Sequence, residues 1–582
     1  MSDLNWWQKA VFYQIYPRSF ADSNGDGIGD FRGMIDRLDY IKNLGVDALW
    51  ISPCYPSPQF DIGYDVSDYT DINPEYGTLT DFKEFLEGAH ERGLRVILDL
   101  VPNHTSDQHP WFLESRSSLD NPKRDWYIWR DGKDSGPPNN WNAGFLGSAW
   151  ELDPHTGQYY YHYFFKEQPD LNWRNPELKQ AMWKAVRFWL DMGVDGFRLD
   201  AIGTIFEDQA LPDQPLQMTL MQLYQASMAA TSEEERKQID EQFKLMFQYQ
   251  VELPEVLDLM KELRAVVNEY KDRMLVGETD LVRYYGDGTD ALHMLFNFPL
   301  MNTKQLTPAW VRTNQNERAL ELPKEAWPCN TLGNHDSPRV YSRYRSEQEQ
   351  PEHSLHGDAM ARIYLALMLT LRGTAFIYNG DEIGMIDLML EDASLFRDNL
   401  SVFAYEGTIR EFGMTPEMAL PLAARMGRDK NRTPMQWSNS PNAGFSPDGV
   451  NPWLPVNPDY LKGINVAEQE NDPDSLLNFY KHMLHLRKQV PALIGGDYTT
   501  LHTDAEHYLA FQRYDKCEHQ TCLVILNFSD QHHILNFDMA SPKIRCLFSS
   551  QERMHAVNNL SQLNLAPYEI YIGEIVSENI KE

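Results

Sequence analysis

Three carboxylates stand where short apolar runs end. Asp200 closes GFRLDA (196–201), Glu278 closes RMLVGE (273–278) and Asp336 follows CNTLGN (329–334). Each has polar company, with Arg198 two residues before Asp200, and Asn334 and His335 just before Asp336. Two carboxyls in one half-buried site are pushed to different protonation states, because burial and like charge both oppose the second ionisation. One ionised carboxylate beside one protonated acid is the equipment of glycoside hydrolysis. Asp99, Asn103 and His104 lie at the end of a further run, RVILDLVPN (95–103). A lone strand-end carboxylate serves equally well as a helix cap, and only convergence of several argues for catalysis. Residues 104–171 are dense in Trp, Tyr and Phe, whose faces pack on the apolar faces of sugar rings. In a chain that is 12% aromatic, any single one of them is first of all a core residue.

Convergence requires elements that bring distant strand ends to one place. VFYQIYP (11–17), ALWIS (48–52), RVILDLVPN, GFRLDA, RMLVGE, HMLFNF (293–298), CNTLGN and AFIYNG (375–380) make eight β-rich runs separated by helical stretches. That alternation predicts parallel βα units, and eight of them predict a closed α/β barrel, a (β/α)8 TIM barrel, with its site at the C-terminal ends of the strands. The barrel is expected over 1–103 and 172–495. Residues 104–171, rich in Trp, Tyr, Pro, Asn and Gly, read as a small domain grown from the third loop. Residues 204–260 read as a helical insertion around SEEERKQIDEQFKLMFQYQ, and 386–470 as a loop-rich subdomain after the eighth strand. From 496 to 582 the pattern becomes alternating, which predicts a separate antiparallel β-sandwich domain.

Composition excludes several function classes. With 52 Lys and Arg against 85 Asp and Glu, the net charge is −33, a field that repels nucleic-acid phosphates and anionic lipid surfaces. No apolar stretch is long enough to span a bilayer, and the first residues lack a basic start followed by an apolar core. Five scattered cysteines fit free thiols in a reducing compartment, so a cytoplasmic protein is expected. Cys517, His519 and Cys522 lie close in sequence but match no zinc spacing.

Four blocks in order, DLVPNH (99–104), GFRLDAIG (196–203), VGET (276–279) and NHDSPR (334–339), resemble the signatures of the α-amylase family, glycoside hydrolase family 13. GTAFIYNGDEIGM (373–385) resembles the family's eighth-strand block, and QPDLN (168–172) and RDKNRTPMQWS (428–438) resemble stretches of its oligo-1,6-glucosidase and α-glucosidase branch. The resemblance implies roles by position. Asp200 would be the nucleophile that forms a glucosyl-enzyme, Glu278 the acid and base, and Asp336 the holder of ring hydroxyls. Arg198 would keep Asp200 ionised. His104 and His335 would bond the first glucose. Asp61, Tyr64 and Arg432 would close the site behind it, with an Asp–Arg pair making the enzyme exo-acting. Phe145 and Phe164 would form side walls, and Gln168 the rim.

DSNGDGIGD (22–30) alternates oxygen donors with glycine in the manner of a cation loop. Asp22, Asn24, Asp26, the Ile28 carbonyl and Asp30 would be the ligands. Gly33 stands where an EF-hand carries its bidentate Glu. The plain alternative is an Asp- and Gly-rich surface turn. Because the resembling branch carries a similar loop, a structural Ca²⁺ is expected, with Mg²⁺ the alternative; no organic cofactor is expected.

The expected activity is retaining, exo-acting hydrolysis of short α-glucosides. A glucosyl transferase or isomerase of the trehalose synthase or sucrose isomerase type is the alternative, since the chemistry up to the glucosyl-enzyme is shared. A non-catalytic relative is the distant third, disfavoured because all three acids are present. Ala201, directly after the nucleophile position, stands where the resembling branch carries Val with α-1,6 preference and smaller residues or Thr with α-1,4, so α-1,4 or similarly small α-glucosides are expected over isomaltose. The 204–260 insertion is longer than that branch usually shows, and 391–403 has no counterpart among the quoted motifs.

Overall fold

The computed structural model describes residues 4–576 apart from 146, 305, 345–354, 539–542, 552 and 554–555. Eight parallel strands form one sheet: β1 (Val11–Ile15), β2 (Ala48–Ile51), β3 (Arg95–Leu100), β4 (Gly196–Leu199), β5 (Met274–Gly277), β6 (Met294–Leu295), β7 (Cys329–Thr331) and β8 (Thr374–Tyr378). Their order is β7-β8-β1-β2-β3-β4-β5-β6, and a parallel bridge from Phe296 to Cys329 brings the two ends together. The strands are buried on both faces, which is why they are written as continuous apolar runs. They are shorter than those runs. β6 ends because Asn297 caps the helix Phe298–Asn302, with Pro299 in its first turn.

Register does the positioning. Asp99 of β3 pairs with Arg198 of β4, and Leu199 pairs with Gly277 of β5. Asp200 and Glu278 each lie one residue beyond those last pairs, and both still donate backbone N–H bonds along the ladder, to Leu100 O and Leu199 O. Side chains two apart on a strand share a face, so Arg198 and Asp200 point the same way. Gly277, beside Leu199 in the ladder, leaves room for the core side chains that pack on it. A Cβ there would stand 2.6 Å from Leu292 and 2.9 Å from Ile202.

Between β3 and β4, strands Trp129–Arg130, Trp150–Leu152 and Tyr159–Tyr161 make a small antiparallel sheet over a cluster that includes Trp141, Trp150 and Tyr161. After β4, helices Leu220–Ala229 and Glu233–Phe247 pack as a pair with their own core of Leu220, Leu223, Ile239, Met246 and Phe247. The insertion is shorter than expected, because the helix Glu255–Val267 buries Val256, Leu259, Met260 and Leu263 in the main core.

The segment after β8 is not simply loop. It contains the helix pair Asn399–Phe412 and Pro416–Met426. Pro421 inside the second helix masks its periodicity in the sequence. Gly413 at φ +62 turns the chain between the two.

The C-terminal region is a six-stranded antiparallel sheet with a two-stranded ribbon, His533–Leu535 with Leu563–Leu565. One face of the sheet encloses a small core with the ribbon. The other packs Leu509, Phe511, Val524 and Ile572 into the core shared with the barrel. Among the described residues no helix is long and apolar enough to cross a membrane.

Candidate active site

Arg198 is the centre of the acid cluster. Its Nη1 donates to Asp99 Oδ1 at 2.8 Å and to Asp200 Oδ1 at 2.6 Å, and its Nη2 lies 2.7 Å from Glu278 Oε1. Glu278 Oε2 also accepts the Ala201 N–H at 2.8 Å. Asp99 is fixed from its other side by Trp50 Nε1 and Tyr64 Oη, both at 3.2 Å.

Three carboxylates surround one guanidinium, so Arg198 does not simply hold Asp200 ionised. Burial raises Asp200 well above the carboxylate range; Arg198 opposes the shift, and Glu278 and Asp99 add to it. Burial raises Glu278 as well, again against Arg198. Asp99 is pushed up to about 7, chiefly by burial. These groups titrate as one coupled set, in which burial and mutual repulsion oppose ionisation of all three at once.

Asp336 differs. Arg432 Nη2 donates to its Oδ1 at 2.6 Å, and Arg428 Nη1 lies 3.5 Å from the same oxygen. Burial favours its neutral form, but the neighbouring Arg432 and Arg428 outweigh it and hold the carboxyl below its ordinary range. His335 and His104 are kept neutral by burial, with His104 lowered to about 3. Tyr64 Oη lies 2.5 Å from His335 Nε2, and the two rings stack at 4°.

Exposure separates the reactive groups from their supports. The side chains of Asp200, Glu278 and Asp336 are 11%, 20% and 31% exposed, while Asp99, Arg198, His335 and Arg432 are at 0%. Of these seven groups, the three acids are therefore the ones that a molecule in the barrel mouth can touch.

Asp61, Gln168 and His104 form the adjoining wall. Gln168 Nε2 donates to Asp61 Oδ2 at 3.0 Å and lies 3.0 Å from His104 Nε2. Half-buried Phe164 meets His104 at 5.2 Å and Phe145 at 5.1 Å. One expected pairing is wrong. Asp61 is bound by Arg428, not by Arg432, with Nη2 donating to Oδ1 at 2.7 Å. Arg432 is committed elsewhere, to Asp336, the His335 carbonyl at 3.0 Å and Tyr16 Oη at 3.3 Å.

Sequence reasoning therefore missed Arg428, although it stands in the same RDKNRTPMQWS block, and it missed Asp398, which holds Arg428. Spacing alone does not say which of two arginines four residues apart meets Asp61.

The loop 22–30 lies apart from this cavity. Asp22 accepts the Gly25 and Gly27 N–H groups at 2.7 and 2.9 Å, and Asp26 accepts Ile28 N–H at 2.8 Å. Asp30 accepts Ser23 and Gly33 N–H bonds, and so caps the helix Phe31–Asp36. Gly27 is at φ +88, where a Cβ would fall 2.3 Å from the Asn451 carbonyl. Among the described residues no group of three or more His, Cys, Asp or Glu side chains is arranged to hold a metal. The loop is thus closed by its own amides. Its donors are nonetheless all oxygen, and burial together with Asp26 and Asp30 raises Asp22, the repulsion that a hard cation would relieve.

The family model for the α-amylase catalytic domain matches residues 14–496. The oligo-1,6-glucosidase of Parageobacillus thermoglucosidasius is 39% identical over 588 residues, covering 98% of this chain and 99% of its own. The α-glucosidase of Pediococcus pentosaceus is 37% identical, with coverage of 98% and 99%. Among solved structures, the trehalulose synthase of Pseudomonas mesoacidophila MX-45 superposes with a TM-score of 0.85 at 36% identity, over 99% of this chain and all of that one. A variant of the isomaltulose synthase of Erwinia rhapontici NX5, solved with its natural substrate sucrose, gives 0.84 at 36% identity, with coverage of 99% and 100%. With its barrel, its strand-end acids and these matches along nearly its whole length, the chain belongs to the α-amylase family and is a glycoside hydrolase family 13 enzyme.

Proposed function

We propose that this enzyme is a retaining α-glucosidase that removes a terminal glucose from short α-glucosides, preferentially α-1,4-linked. The observation that carries the reading is the sharing of one guanidinium by two acids: Arg198 Nη1 lies 2.6 Å from Asp200 Oδ1 and its Nη2 2.7 Å from Glu278 Oε1, which holds the two carboxyls side by side. That closeness suits the ~5–5.5 Å separation of retaining enzymes better than the ~6.5–9.5 Å of inverting ones. Asp200 attacks the anomeric carbon as Glu278 gives its proton to the departing oxygen. Glu278 then takes a proton from water, which releases glucose from Asp200. Asp336, kept ionised by Arg432 and Arg428, accepts hydrogen bonds from ring hydroxyls and favours the positively charged transition state. Phe145 and Phe164 are the walls, while Gln168, expected at the rim, and the neutral His104 and His335 are buried behind them and fix Asp61, Tyr64 and Asp336 in place. Asp61, Tyr64 and Arg428 close the far end, so only a chain terminus enters.

A second reading is glucosyl transfer to the second sugar instead of to water. It is favoured by the likeness to trehalulose and isomaltulose synthases over nearly the full chain. Product analysis on maltose, isomaltose, sucrose and trehalose separates the two. Free glucose as the main product supports hydrolysis, a new disaccharide from sucrose supports transfer, and no turnover of any of them defeats both.

We further propose that loop 22–30 binds a structural Ca²⁺ through Asp22, Asn24, Asp26, the Ile28 carbonyl and Asp30. A cation that binds only the folded state raises stability by mass action. Excess chelator should therefore lower the melting temperature more than it lowers the initial rate at low temperature. An unchanged melting temperature, with no metal found by elemental analysis, would remove the site. Among the described residues no two cysteines form a disulfide, which supports a reducing, cytoplasmic setting.

A further inference from the structure

We propose that Asp398 is a positioning residue for the closed end of the glucose site, acting through Arg428. Its carboxylate is 1% exposed, so it does not reach the cavity itself. It grips Arg428 three times. Oδ2 accepts the Arg428 backbone N–H at 2.7 Å and Nε at 2.9 Å, and Oδ1 accepts Nη2 at 2.9 Å. A guanidinium is a rigid planar fork, so fixing Nε and Nη2 fixes the direction of every remaining donor. The second Nη2 hydrogen then faces Asp61 at 2.7 Å, and Nη1 faces Asp336. Phe145 lies against the same guanidinium, 5.6 Å from ring centre to Cζ.

Asp398 is itself held in place. Its N–H donates to Asp429 Oδ1 at 3.0 Å, and its Oδ1 caps the helix Asn399–Phe412 through Leu400 N–H at 3.1 Å. The next residue, Asn399, donates to the Phe60 carbonyl at 2.6 Å, immediately before Asp61. One turn further, Phe403 lies 5.5 Å from Phe165. The first turn of this helix thus anchors both partners of the Asp61–Arg428 pair. It belongs to the segment 391–403, for which the sequence motifs offered no counterpart. The inference rests on the reading of that pair as the end of the glucose site.

A double-mutant cycle on kcat/KM tests it. Asp398→Asn keeps an oxygen for Leu400 N–H but sets an amide NH2 against the Arg428 donors. It should lower kcat/KM on a short α-glucoside by roughly tenfold or more, mainly through KM. Arg428→Ala should lose at least as much. The double variant should lose no more than Arg428→Ala alone, to within about twofold, because no guanidinium is left for the acid to orient. A role confined to the helix cap predicts losses that multiply. Arg428→Lys provides a milder background, since a single ammonium cannot reproduce the fork; adding Asp398→Asn should again change little. Multiplying losses, or an Asp398→Asn enzyme as efficient as wild type, would overturn this inference alone. A wild type that releases glucose from no short α-glucoside would overturn the functional reading and this inference together.

Discussion

Asp99, Asp200 and Glu278 gather around one guanidinium, that of Arg198, whereas Asp61, Asp336 and Asp398 share two, Arg428 and Arg432. Both groups are half-buried or buried, and both use the same residue types. In the first, burial outweighs the single cation, and all three carboxyls are pushed upward. In the second, the cations outweigh burial at Asp336 and Asp398, which stay below the ordinary range; only Asp61 is raised, burial exceeding the effect of Arg428 there. The ratio of guanidinium to carboxylate, more than depth, decides which acids are pushed toward the protonated form and which are held toward the ionised one. The first group suits bond cleavage, and the second suits binding hydroxyls and stabilising positive charge.

The comparison breaks first at the acids. Asp200→Asn or Glu278→Gln should lower kcat about ten-thousandfold with the fold retained, a size typical of losing a reacting group. Steady-state rates and circular dichroism of the purified variants check this, and near-normal rates in either would remove the assignment.

Removing the lone cation should do nearly as much. Arg198→Met leaves three buried carboxylates uncompensated. The cost of breaking such a cluster is about 3–5 kcal/mol, reduced where the acids take up protons. The sign with pH follows. Carboxyls raised in the folded state bind more protons there than in the unfolded chain, so folding is favoured at low pH and loses stability as pH rises through the raised values. Denaturant midpoints of Arg198→Met should therefore fall as pH rises from 5 to 8, relative to wild type. A constant difference would show that Arg198 does not compensate these acids.

A smaller effect sharpens the contrast. Asp99→Asn removes one of the three negative charges while leaving Arg198 in place. The remaining pair should hold its proton less tightly, so the alkaline limb of the kcat/KM profile should move to lower pH. Asp398→Asn, at the other end, should leave that limb where it is. Equal movement in both variants would mean that the two groups are not electrostatically distinct.

The smallest change concerns the acceptor side. Ala201, whose N–H supports Glu278, sits at φ +44 in the left-handed region. Ala201→Val should shift the kcat/KM ratio from maltose toward isomaltose, by at most the ~10–200-fold that a methylene-scale change allows. It should also cost stability, since a β-branched residue is strained at that φ. A wild type that already prefers isomaltose would transfer control of linkage to the helix pair 220–247.

The strand-end acids are legible in the sequence because β-strand runs, their flanking helices and a carboxylate at each end are all local features. Asp99, Asp200 and Glu278 follow from the runs that carry them, and the barrel follows from their number. The helix Asn399–Phe412 is not legible there. Its partner's Pro421 disturbs the helical period, and its docking against Phe60 and Phe165 depends on chain far away. The partner of Asp61 is decided in the same way. Arg428 and Arg432 are alike in sequence, and Asp61 is 367 residues from the first of them. A carboxylate pairs with whichever cation the folded loops bring within about 3 Å, and pairing depends on that distance and on the desolvation around it. Composition and periodicity carry no record of either. The amino-acid sequence by itself thus determined which groups could react, while the packing of three loop-borne segments on the barrel decided which were exposed, which were neutral and which arginine each acid would meet.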